Sequence, residues 1–175
     1  MRSPLFTLTS RHVGVAAEAI VAAQFARVGF DISVQYGANQ PEYDLAVIAG
    51  DDMLKVSVKG SQDGGWGLTQ SLLRDANYQE AAESWLKKHG RRMALCLVQF
   101  KDVELEAMPR LYIAMATEVA TMLKESRNGL GDTILHEKKE WTRGKAAGAS
   151  VAIPDQWKFC RARVEEILAS LPKPI

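Results

Sequence analysis

Apolar residues recur at helical spacing through residues 10–28, SRHVGVAAEAIVAAQFARV, where Val13, Ala17, Ile20, Val21, Gln24 and Val28 fall roughly on one stripe. Thr9 or Ser10 suits the start of this helix and Gly29 its end. The period then changes to two. Residues 30–36, FDISVQY, alternate as a half-buried strand does, and residues 37–41 read as a loop. The stretch 43–60, YDLAVIAGDDMLKVSVKG, predicts a hairpin. Tyr43, Leu45, Val47 and Ala49 share one face of its first strand, and Leu54, Val56 and Val58 share one face of its second. Gly50 and Asp51 suit a two-residue turn, which pairs Ala49 with Asp52 and sets Asp44 opposite Ser57. Lys59, two residues on, points the same way as Ser57.

The pattern continues with a Gly-rich segment, SQDGGWG at 61–67, expected to be a mobile loop. Residues 75–89 predict a helix ended by Gly90, and 93–100, MALCLVQF, a buried strand. Strand, crossover helix and strand make a βαβ unit, with 93–100 parallel to 53–59. Beyond it the pattern predicts a strand at 111–116, a helix capped by Thr117 and running to about 126, and a short strand at 133–137. Residues 142–150 read as a Gly/Ala-rich basic loop. Residues 154–171 contain a helix with Trp157, Cys160, Val164, Ile167, Leu168 and Leu171 on its apolar side. The fold class is therefore α/β, with an αβββαβ core and further strands and a helix after it.

Composition narrows the function less than the pattern does. The length of 175 residues fits a single domain, with the core at about 10–100 and a C-terminal extension at about 101–175. Net charge is +1, from 22 basic and 21 acidic side chains, so no overall basic character points to nucleic acid. A local basic face remains compatible with that total. Cys96 and Cys160 have no framework spacing and read as buried free thiols in a reducing compartment. The first twelve residues show no signal-peptide core, and no apolar run reaches membrane-spanning length, which makes the cytoplasm the expected compartment. His12, His89 and His136 lack zinc spacing, and RGKAAG around Lys145 lacks the glycine and hydroxyl of a phosphate-binding loop.

The order of elements, with Gly14 and Glu18 in GVAAEA, Asp44 in PEYDL and Lys59 in SVK, resembles the PD-(D/E)XK nuclease superfamily, and within it the Holliday-junction-resolvase-like branch. The resemblance covers about residues 10–100. It implies a restriction-endonuclease-like fold with a mixed central sheet flanked by helices. It also implies a Mg²⁺-dependent DNA endonuclease of repair, recombination or restriction type. Phosphodiester hydrolysis needs negative charge stabilised and water activated, and a cation on hard oxygen ligands does both. On this resemblance Asp44 and Glu18 are the metal ligands, and Lys59 serves the water and phosphate. Ser57 departs from the pattern, standing where the family has Glu, Asp or sometimes Gln. Glu18 from the helix, Glu42 on the face of Asp44, or Asp63 after Lys59 are three ways to replace the missing carboxylate.

Lys138, Lys139, Arg143 and Lys145, beside Trp141, form a basic group suited to a phosphate backbone, and Trp66 is placed to stack on a base. Lys87, Lys88, Arg91 and Arg92 form another, at a helix C-terminus where the macrodipole also favours them. Ser57 supports an alternative function: a nuclease-fold module that binds DNA or protein without catalysis. In a further alternative the fold is a scaffold, with the Gly-rich segment and the last helix forming a homodimer interface.

Overall fold

The computed structural model describes residues 8–35, 42–75 and 77–171; the loop expected at 37–41 lies outside them. Helix α1 spans Ser10–Arg27. The Thr9 hydroxyl accepts from the His12 backbone N–H at 3.4 Å, and the Thr9 N–H donates to His12 Nδ1 at 3.1 Å, a reciprocal cap with histidine in the usual glutamate place. Its buried row is Val13, Ala17, Val21 and Phe25. Ile20, Gln24 and Val28, expected on the stripe, lie at its half-buried margin instead.

Strands β1 (Asp31–Val34), β2 (Leu45–Ala49) and β3 (Asp52–Ser61) form an antiparallel meander. The register is the one the hairpin pattern predicts, with Ala49 opposite Asp52 and Leu45 opposite Val56. Gly50 takes φ +62°, the left-handed conformation the first turn position needs. The Gly-rich segment is not the mobile loop expected. Gly65–Gly67 forms strand β4, held by Trp66. That indole is 2% exposed, donates to the Val98 carbonyl at 3.4 Å and stands edge-on to Tyr112. A large buried aromatic outweighs the flexibility of its glycine neighbours.

Helix α2 (Tyr78–His89) is capped by Asn77, whose side chain accepts from the Glu80 N–H, and leads into β5 (Met93–Gln99) parallel to β3. Every position of β5 is buried, as suits the inner strand of a covered sheet. Strand β6 (Arg110–Met115) closes the sheet, antiparallel to β5, giving the order β1-β2-β3-β5-β6. Helix α3 (Ala116–Glu125) follows directly. Its cap is not Thr117; Glu118 reaches back to accept the Met115 N–H at 2.7 Å. Strand β7 (Ile134–His136) pairs with β4, and β8 (Lys138–Glu140) pairs with β9 (Ser150–Ala152). The basic loop predicted at 142–150 is thus the tip of a hairpin. Helix α4 (Arg161–Ser170) ends the described chain.

These elements make the mixed α/β fold expected, with helices on both faces of the sheet. One core joins α1 and α4 to alternate residues of the sheet, among them Val56, Val58, Cys96 and Ile113. The other joins α2 and α3 to Leu95, Leu97, Tyr112 and Ala114. Cys96 is buried as expected, and burial pushes its thiol pKa well up. Cys160 is exposed, because it precedes α4 instead of lying on its apolar side. Arg163, 7% exposed, ties α4 to α3 through two hydrogen bonds to Glu118 at 2.7 and 2.6 Å. Among the described residues no helix is long and apolar enough to cross a membrane.

One contact sets how closely α1 lies on the sheet. A Cβ at Gly60 would stand 2.8 Å from the Val13 carbonyl oxygen and 3.0 Å from Ala17 Cβ. Gly14, by contrast, has nothing within 4 Å of the place a Cβ would take, so close packing is not its reason. Gly60→Ala is expected to destabilise the protein by roughly 1–3 kcal/mol, because helix backbone must yield. Gly14→Ala is expected to stabilise it by up to about 1 kcal/mol, by helix propensity alone. Urea denaturation of both variants checks this; equal responses would contradict the packing account.

Candidate functional site

The site grows from the polar row of β3. Val56 and Val58 face the α1 core, so Ser57 and Lys59 face the other way. Their cross-strand partners on β5 are Leu95 and Leu97, whose side chains belong to the α2 core. The row therefore runs along the margin of that core, where Tyr43, Leu68 and Leu72 pack.

Asp44 stands where the chain enters β2. Its backbone N–H donates to the Val56 carbonyl at 2.9 Å. Its carboxylate Oδ2 accepts the Val58 N–H at 2.6 Å and the Ser57 hydroxyl at 3.3 Å. The side chain thus extends the β2–β3 ladder by one rung, while among the described residues no donor reaches Oδ1. Ser57 is 2% exposed, and its hydroxyl orients the aspartate.

Glu18 comes from α1, one residue beyond the Ala17 methyl that packs over Gly60. Its pKa is raised, first by burial and then by the charge of Asp44, while the Lys59 ammonium pulls it back down. Helix, strand entrance and strand end thus bring two carboxylates and an amine within electrostatic reach of one another. Among the described residues no group of three His, Cys, Asp or Glu side chains forms a ready-made metal cluster.

The other proposed replacements are placed differently. Glu42 is half exposed and engaged by Lys88 Nζ at 3.5 Å. Asp63 lines the same 260 Å³ cleft as Lys59, but its Oδ1 accepts from the Ser61 hydroxyl at 2.9 Å and the Gly65 N–H at 3.3 Å. Ser61 is held in turn by the buried Gln99 amide at 3.2 Å.

The basic residues divide. Lys138 and Lys139 line a 320 Å³ cavity with Lys101 and His136. Arg143 and Lys145 are exposed at the β8–β9 hairpin tip, outside that cavity. Trp66 is enclosed in the α2 core, so it is an internal anchor and not a surface for base stacking, nor part of an exposed dimer face. Arg91 and Arg92 line a separate 560 Å³ hollow with Lys55, near the start of β3 and away from Lys59. The sequence reading missed Gly60 and Lys101. Gly60 was visible as the glycine directly after Lys59, but its reason lies in a helix more than forty residues away; Lys101 had no periodic signal at all.

No protein-family model matches the chain, and no curated protein matches it. Among solved structures it is similar to a Holliday junction resolvase from the archaeal hyperthermophile Archaeoglobus fulgidus. That likeness has 16% identity, covers 71% of this chain and 88% of that one, and has a TM-score of 0.40. It is also similar to a bacterial homing endonuclease, with 13% identity, coverage of 91% and 86%, and a TM-score of 0.43.

The electrostatics give a signed prediction. A carboxyl with its folded pKa above its unfolded one destabilises the fold once ionised; the penalty is absent in acid and complete above the raised pKa. Glu18→Gln should therefore raise the melting temperature at neutral pH, with the gain fading as pH falls through that pKa. In NMR titrations, Asp44→Asn should lower the pKa of Glu18 and Lys59→Met should raise it. A Glu18 pKa indifferent to both changes would show that the three groups do not meet.

Proposed function

We propose that this protein is a divalent-metal-dependent DNA endonuclease. The observation that carries the reading is the Asp44 carboxylate, held at the entrance of β2 by the Val58 N–H and the Ser57 hydroxyl, with Glu18 within reach of its charge and that of Lys59. Two carboxylates that repel each other are an arrangement that a bound cation relieves. Asp44 has Oδ1 open for this, and both ligands are the hard oxygens that Mg²⁺ takes. With only two protein ligands, water and substrate phosphate would supply the rest of the ion's oxygen ligands.

When bound, the ion would supply charge stabilisation at the phosphoryl oxygen and a lowered pKa for water. The chain's own residues do the rest. Ser57 and the Val58 N–H hold the Asp44 carboxylate in one orientation. Lys59 sets a fixed positive charge where the pentavalent phosphorus gathers negative charge, and donates a hydrogen bond to orient the attacking water. Glu18, carried on α1, completes the carboxylate pair. The substrates that suit this reading are those of repair, recombination or restriction.

A second reading is favoured by Ser57, which places a neutral hydroxyl among the carboxylates. On that reading the same surface binds DNA without cutting it.

Calorimetric titration with Mg²⁺ and Mn²⁺, repeated with duplex DNA present, together with cleavage assays on branched and linear DNA, separates the two. The endonuclease reading expects metal binding that Asp44→Asn abolishes. That variant keeps an oxygen for the Val58 N–H while losing the charge. Lys59→Met is expected to retain the metal and to lose on the order of 10²-fold or more in cleavage rate. Salt-sensitive DNA binding with no cleavage under any metal condition would overturn the endonuclease reading in favour of the binding module.

A further inference from the structure

The cleft at Lys59 and the cavity at Lys101, Lys138 and Lys139 are neighbours. Asp63, Gly65 and Gly67 line both. Lys138 and Lys139 come from β8, and Lys101 follows β5, so distant parts of the sequence assemble the second cavity. Lys101 lies over Gly64, its Nζ 3.6 Å from where a Cβ would stand.

None of the three is in an ion pair among the described residues, which separates them from some of the other surface lysines. Lys88, Lys124 and Lys158 each sit within 4.0 Å of a carboxylate. Among the described residues Lys101, Lys138 and Lys139 have no such partner. Two carboxylates are close by: Glu137, which feels the charge of Lys101 but is occupied by Arg110 at 2.7 Å and by the Tyr112 hydroxyl at 2.6 Å, and Asp63, which lines the same hollow. In a chain with net charge +1, three lysines without ion-pair partners lining one hollow, against the one carboxylate of Asp63, make it locally basic.

We infer that Lys101, Lys138 and Lys139 form a track for the phosphodiester backbone, holding the phosphates that flank the one at Lys59. The inference rests on the nucleic-acid reading of the site and deepens it, since it specifies the path of the bound strand. The ligand chemistry is a line of singly charged phosphates, not an isolated anion, because the track continues from the cleft that holds Lys59. Asp63, at the junction, keeps its carboxylate engaged with Ser61 and Gly65. The hairpin-tip cations Arg143 and Lys145 are not on this path.

The test is fluorescence anisotropy with a labelled DNA duplex, without divalent metal, across a range of salt concentrations. The triple variant Lys101→Ala/Lys138→Ala/Lys139→Ala is compared with Lys124→Ala/Lys158→Ala/Arg161→Ala, which removes the same charge elsewhere. The track predicts weaker binding by the first variant only, with the slope of log affinity against log salt reduced by roughly 2–3, about one per lost phosphate contact. Equal losses in the two variants would overturn it, as would an unchanged slope in the first or no binding by the wild type. Metal-dependent cleavage by the wild type is scored separately. Cleavage without any effect of the lysine variant would sink the track and leave the endonuclease; a lysine effect without cleavage would do the reverse.

Discussion

The close approach of α1 to β3 at Gly60 is the constraint on which the site depends. The helix backbone at Val13 and the methyl of Ala17 occupy the space that any side chain at position 60 would need. With the helix that low, Glu18 lies within electrostatic reach of Lys59 and Asp44, and the facing of Asp44 follows from the register of the β2–β3 pair. Packing and chemistry are thus joined at a residue that carries no functional group.

The surrounding structure absorbs the cost of that meeting. Glu18 is penalised in the fold by burial and by Asp44. Asp44 offsets part of its own cost by serving the sheet, since its Oδ2 takes the Val58 N–H that would otherwise lack a ladder partner. Elsewhere the fold is anchored well away from the charges. The fully buried β5, the Trp66 clamp on β4 and the Arg163–Glu118 pair hold sheet, strand and helices together without involving Glu18, Asp44 or Lys59. The rigidity of these parts is what lets a polar row at the edge of a core keep a defined shape.

Much of the fold was legible because it is written in local patterns. The two-residue turn at Gly50 and Asp51 fixed the hairpin register, and with it the facing of Asp44 and Ser57. The continuous apolar run at β5 announced a covered inner strand. Other features answer to contacts that no local pattern contains. SQDGGWG has the composition of a loop, yet becomes a strand because Trp66 finds a pocket against Val98 and Tyr112. Thr117 looked like a cap, but Glu118 takes that place while also receiving Arg163 from α4. Within the site, Glu18 could be placed only on the margin of a helical stripe. Its coupling to Asp44 and Lys59 depends on the height of α1 above the sheet, and so on tertiary packing.

The most direct test of the central claim, that α1 brings Glu18 to Asp44 to make one cation site, is anomalous diffraction from crystals soaked in Mn²⁺. The account predicts a single anomalous peak within bonding distance of both carboxylates, about 2 Å from each oxygen, and its loss in Asp44→Asn crystals. A peak bound by Asp44 without Glu18, or at Asp63 instead, would contradict it.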